Sequence, residues 1–214
     1  MRLDPPFIIA VLVGLTFHEC AHAWVAYKLG DPTAKYDDRI TLNPIAHIDL
    51  LGAIFFLIAG FGWGKPVPVN PRYFDHPRRD SALVSLAGPL SNLIVAIIAG
   101  ILLRIVVPGG SIAALHAAAL SGPSAFLVQV LMTILFVNLS LMAFNLLPIA
   151  PLDGSKVLQA FVPLRFEDAY EQYLQYGMYV LFGLLILERV MNVSILSWWI
   201  ESIVGPILQL MGIG

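Results

Sequence analysis

His18, Glu19 and His22 fall within five positions of one another in the stretch TFHECAHAW, residues 16–24. On a helix, residues four apart lie on one face, about one turn from each other. Two imidazoles so placed can grip a single Zn²⁺, one ion per chain, and a carboxylate beside them can serve as general base in a hydrolysis. A lone histidine in an apolar helix is usually a satisfied core residue. Here three ionisable side chains interrupt the oily run of residues 7–29. Charge is costly inside a bilayer and marks function there.

A catalytic zinc of this kind needs a third protein ligand and an open position. No Glu occurs between Glu19 and Glu167, which removes the thermolysin-type arrangement. Val25 and Lys28 stand where a metzincin would need Gly and His. The remaining candidate is Asp153, within FNLLPIAPLDGSKV, residues 144–157. Pro148, Pro151 and Gly154 break the helix there and leave irregular backbone, which membrane depth tolerates only against protein or a wet cavity. The competing reading is an ordinary Asp-Gly turn at a helix exit.

The elements that must position these residues are membrane helices. Of 214 residues, 58% are hydrophobic and 12% charged, with a mean hydropathy of +0.82. Soluble globular chains carry about 25% charged residues. The net charge of -2 gives no sign of a nucleic-acid partner, and the single cysteine, Cys20, excludes an internal disulfide framework. The opening MRLDPP is too poor in basic residues for a signal peptide.

Five apolar runs are candidate spans: residues 7–29, 82–107, 126–147, 173–187 and 193–211. The last two form a helical hairpin around a turn at 188–192, with Tyr170, Tyr173, Trp198 and Trp199 as interfacial anchors. A sixth run, residues 50–63, is short and glycine-containing, which suits a re-entrant segment better than a span. If it returns to its own side, nine of the twelve Lys and Arg residues share one face; if it crosses, the split is seven to five. The positive-inside rule selects the first, with the N-terminus outside and the cation-rich side cytoplasmic. Only that topology delivers Asp153 to the same side as the histidines, so charge distribution and metal geometry choose the same arrangement.

The chain is therefore expected to be an all-α polytopic membrane protein, a single membrane domain over residues 1–214. Its three-helix catalytic core occupies residues 7–157 and includes a re-entrant β-like loop at about 48–70. A C-terminal transmembrane helical hairpin follows at 173–211.

HECAH (residues 18–22), AGPLSN (87–92) and NLLPIAPLDG (145–154) together resemble the site-2 proteases, the intramembrane zinc metalloproteases. The likeness covers most of residues 7–157 and is to the short bacterial members without PDZ or CBS domains. It implies hydrolysis of peptide bonds in transmembrane or membrane-proximal segments of a protein substrate, by zinc-activated water with Glu19 as acid/base. It also implies His18, His22 and Asp153 as zinc ligands, and a multi-pass location in the plasma or inner membrane, in contact with the lipid bilayer. By the same resemblance Asn145 lies near the metal, where its amide could support an oxyanion; hydrogen bonding between helices is its competing role. The oligomeric state is left open.

Gly88, Ser91 and Asn92 make a small, polar patch expected to pack against the histidine helix. His47 and His76 read as structural loop residues. In KPVPVNP, residues 65–71, Pro66 and Pro68 strip donors from one edge of an extended segment, while Val67 and Val69 keep theirs on the other. That edge could hold an unwound substrate by β-addition, or the prolines merely stiffen a surface loop. The alternative function is a non-catalytic zinc-binding membrane protein of the same fold, acting as scaffold or chaperone; a purely structural zinc site has no need of Glu19. A metal transporter would want ionisable residues spread along a path, and these cluster at one point.

Overall fold

The computed structural model describes residues 4–59, 62–107, 111–120, 124–191 and 194–213. Helix α1 (Pro5–Lys28) starts where Asp4 accepts the Phe7 N–H at 3.1 Å, and its first residues, Pro5 and Pro6, need no helical donor there. It closes at Gly30, whose φ of +105° favours glycine. The short α2 (Thr33–Tyr36) and α3 (Leu50–Ala59) follow, then α4 (Pro77–Val106) and α5 (Ile112–Leu120). The chain continues through α6 (Ala125–Asn145), α7 (Asp153–Gln159), α8 (Glu167–Met191) and α9 (Ile195–Leu210).

Helices α1, α4 and α6 are long and apolar enough to cross a membrane. At 1.5 Å per residue even the shortest, with 21 residues, reaches about 32 Å against a hydrocarbon core of about 30 Å. The protein is a polytopic membrane protein built on these three. They pack on one another, with α4 antiparallel to α1 and α6. Gly14 lets α1 approach α6: a Cβ there would lie 2.7 Å from Leu141 Cδ1. The apolar core lies toward the far end of the bundle from the histidines. There Leu103 of α4, Leu115 of α5 and Leu135 and Leu139 of α6 are fully buried, with Val204 and Leu208 of α9 against them.

The segment expected at 48–70 returns to its starting point. Ile48 and Gly64 form an antiparallel bridge, and the Lys65 N–H donates to His47 O at 2.9 Å. Between them α3, ten residues and about 15 Å long, is too short to cross. Glycine makes the tight return possible, since a Cβ on Gly52 would lie 2.0 Å from Trp63 O. The β-like description needs correction: ten residues of the segment are helix, and no strand occurs among the described residues. The bridge does not extend into a ladder because the facing chain turns into a 3₁₀-helix at Pro44–His47.

The two C-terminal helices have other bounds than the expected runs. Helix α8 begins at Glu167, before the apolar run, and continues to Met191 through most of the expected turn. Helix α9 is apolar but has only 16 residues, and neither qualifies as a candidate span. Residues 192 and 193, like residues 2, 60 and 61 invoked above, lie outside the described residues. Three of the four expected anchors use their polar ends internally. Trp199 Nε1–H donates to Ala143 O at 2.8 Å, the Tyr170 hydroxyl to Ser155 O at 2.5 Å, and the Tyr173 hydroxyl to Pro148 O. Trp198 alone remains largely exposed. Helix α5 has no counterpart in the sequence expectation.

Candidate metal centre

His18 and His22 project from α1 toward α4 and are buried. Each ring is fixed by its Nδ1. His18 Nδ1–H donates to Asn92 Oδ1 at 2.7 Å, and His22 Nδ1–H donates to the Val84 carbonyl at 2.7 Å. Asn92 is oriented in turn: its Nδ2 donates to Gly14 O at 3.0 Å and to Asn138 Oδ1 at 2.9 Å, which leaves its oxygen for the imidazole. Asn138 itself is anchored by Ile134 O at 2.9 Å. With both Nδ1 protons spent, each Nε2 presents a lone pair.

Both lone pairs meet a carboxylate. Asp153, the first residue of α7, places Oδ2 at 3.1 Å from His18 Nε2 and 3.3 Å from His22 Nε2. That oxygen is buried and has no hydrogen-bond partner among the described residues. Three potential ligand atoms thus converge in a largely buried site, all within 4.8 Å of one another, and with both rings neutral the Nδ1 bonds leave each Nε2 as an acceptor. Such a cluster calls for a cation. Ligands at about 2.0–2.1 Å around a tetrahedral Zn²⁺ stand roughly 3.3 Å apart, close to the two separations between Asp153 and the histidines.

The site needs Gly88. A Cβ there would lie 2.4 Å from His22 Nε2 and 2.6 Å from His18 Cε1, so only glycine lets α4 pass behind the two rings. Gly154 does the same for α7, where a Cβ would meet the Leu146 and Leu147 carbonyls at 2.3 and 2.4 Å. Ser91 donates to Gly88 O at 2.7 Å within α4. The expected patch therefore packs against the histidine helix, and Asn92 does more than pack, since it holds a ring.

Glu19 is half-buried beside this set and close enough to His22 and Arg39 to interact with both electrostatically. Asn145 donates its amide to Leu141 O at 3.0 Å, one turn back on its own helix. His47 is fully buried between Thr41 O and Arg39, and His76 caps α4 from an exposed position. Neither joins the metal cluster. Val69 packs near Ala26, Phe74 and Val84. Just before the two valines, Arg39 grips Lys65 O at 2.6 Å and Pro66 O at 2.8 Å. The backbone groups of Val67 and Val69 have no hydrogen-bond partner among the described residues.

A family model described as peptidase family M50 matches residues 6–187. The chain belongs to peptidase family M50, the site-2 proteases. It is 43% identical over 189 residues to YwhC of Bacillus subtilis (strain 168), covering 87% of this chain and 82% of that protein. It is 31% identical over 189 residues to Rip2 of Mycolicibacterium smegmatis, covering 84% of this chain and 67% of the relative. It is 33% identical over 156 residues to MJ0611 of Methanocaldococcus jannaschii, covering 71% and 68%. All three carry names that propose a zinc metalloprotease. No solved structure matches the chain. Family membership makes zinc the cation, and the His18, His22 and Asp153 donors fit it.

Proposed function

We propose that the chain is an intramembrane zinc metalloprotease that hydrolyses peptide bonds in transmembrane or membrane-proximal segments of protein substrates. The observation that carries this reading is the convergence of two Nε2 lone pairs and one buried carboxylate oxygen beside Glu19. His18, His22 and Asp153 hold the zinc, and when bound it supplies an electrophile that polarises the scissile carbonyl and acidifies water. Asn92 and the Val84 carbonyl keep both rings in the tautomer that can bind it. Glu19 takes the proton from the attacking water and delivers it to the departing amine. Asn145 has a second amide hydrogen beyond the one given to Leu141, and that donor supports the oxygen on which charge develops.

A helical substrate must be extended before its carbonyl can be attacked. The Val67 and Val69 edge serves this step by β-addition, because its backbone groups are unpaired while Arg39 fixes the residues just before it. The segment around α3 is re-entrant, the cation-rich ends of α1 and α4 face the cytoplasm of the plasma or inner membrane, and the N-terminus lies outside. Helices α8 and α9 complete a C-terminal membrane hairpin.

The test replaces Glu19 with Gln. The variant should retain about one zinc per chain and lose cleavage of a model transmembrane substrate by a factor of at least 10². Wild-type cleavage by Glu19→Gln would exclude the catalytic reading.

A further inference from the structure

Asp153 reaches the histidines from the first residue of α7, a seven-residue helix about 10 Å long. The opposite end of α7 is held from outside. Arg78, in the first turn of α4, donates from Nη2 to Gln159 O at 2.6 Å and to Val162 O at 2.5 Å. The last carbonyls of a helix have no partner within it, and a cation there also meets the negative end of the helix dipole. On its other side Arg78 Nε lies 3.7 Å from Oε1 of Glu167, the first residue of α8. Helix α8 touches α7 directly, where the Tyr170 hydroxyl donates to Ser155 O at 2.5 Å. Arg78 makes no contact with any of the three proposed ligands.

We propose that Arg78 is a positioning residue: through α7 it sets where the Asp153 carboxylate stands relative to His18 and His22, and Glu167 links that setting to the first turn of α8. The inference rests on the zinc reading of those three side chains. A single short helix is a stiff rod, so a slide at Gln159 is transmitted to Asp153. Zinc–ligand distances tolerate only about 0.2 Å. Close packing at Gly154 limits the approach of α7 to the end of α6, and the two bonds from Arg78 Nη2 fix where its far end sits. Lysine at this position would keep the charge but not the planar group that meets the α7 carbonyls through Nη2 and Glu167 through Nε at once.

The experiment measures zinc affinity by chelator competition, and the visible spectrum of the Co²⁺-loaded protein, for the full chain in lipid nanodiscs. Arg78→Ala should bind zinc about 10–100-fold more weakly, the range expected when a ligand's support is lost. Its cobalt bands should move toward those of Asp153→Ala. Arg78→Lys should recover part of the affinity, and Glu167→Gln should weaken binding in the same direction by less. A merely structural arginine would lower the thermal midpoint of the metal-free protein and leave affinity and cobalt spectrum at wild-type values. That result overturns the proposal. If Arg78→Ala does not fold, the other two variants decide, and wild-type affinity in both is equally fatal. A folded wild-type chain without zinc affinity would sink the metal reading itself, whereas loss in Asp153→Ala but not at Arg78 sinks only this inference.

Discussion

The ring of His18 is held by the side chain of Asn92, Nδ1 to Oδ1 at 2.7 Å, across the contact between α1 and α4. Asn92 answers to two further groups, Gly14 O and Asn138 Oδ1, so its orientation and with it the imidazole tautomer are fixed before any ion arrives. Asn92→Ala would free the ring and strand the Asn138 oxygen in a buried interface. Zinc affinity, read by chelator competition, should fall about 10–100-fold. Unchanged affinity would mean that the hydrogen bond is incidental to the metal.

Gly88 makes a sharper case, because the obstruction is steric. A single methyl group there would sit 2.4 Å from His22 Nε2 and 2.6 Å from His18 Cε1. Alanine favours helix by about 1 kcal/mol over glycine, so Gly88→Ala should keep or raise helical content while losing zinc. Circular dichroism and metal analysis on one sample separate the two effects. A zinc-replete Gly88→Ala protein would show that the rings can step aside.

Much of this was legible in the sequence, for reasons particular to each residue. Ligand chemistry demands certain side-chain types, so His18, His22 and Asp153 could be found by type, spacing and topology, and the structure brings them together. Backbone groups carry no such mark, and the Val84 carbonyl could not have been singled out. Asn138 carries a signal of its own, an amide in the middle of an apolar span. The prolines at 66 and 68 suggested extended chain and were extended to a whole loop, although they lie beyond the helix-forming residues of α3. Helix α5 is nine residues long, too short for an apolar run to announce, and is stabilised by Leu115 and Ala119 against α6 and by Gln129 Nε2–H to Ala119 O at 2.7 Å. The start of α8 was hidden because Glu167, Asp168 and Glu171 are polar in a helix expected to be oily.

The extended segment after Lys65 offers a test that spares the metal. Val67→Pro removes one N–H from the unpaired edge and leaves the grip of Arg39 on Lys65 and Pro66 in place. Cleavage of a transmembrane substrate should drop at least tenfold with zinc content unchanged, since one edge hydrogen bond and its strand register are lost. Normal turnover by that variant would leave the prolines as stiffeners of a loop.

X-ray absorption at the zinc edge of the purified wild-type chain examines the centre itself. Two imidazole nitrogens and one carboxylate oxygen should surround the ion at about 2.0–2.2 Å, with no sulfur scatterer. A sulfur from Cys20 in that shell, or a folded wild-type chain with no zinc to examine, would contradict the account.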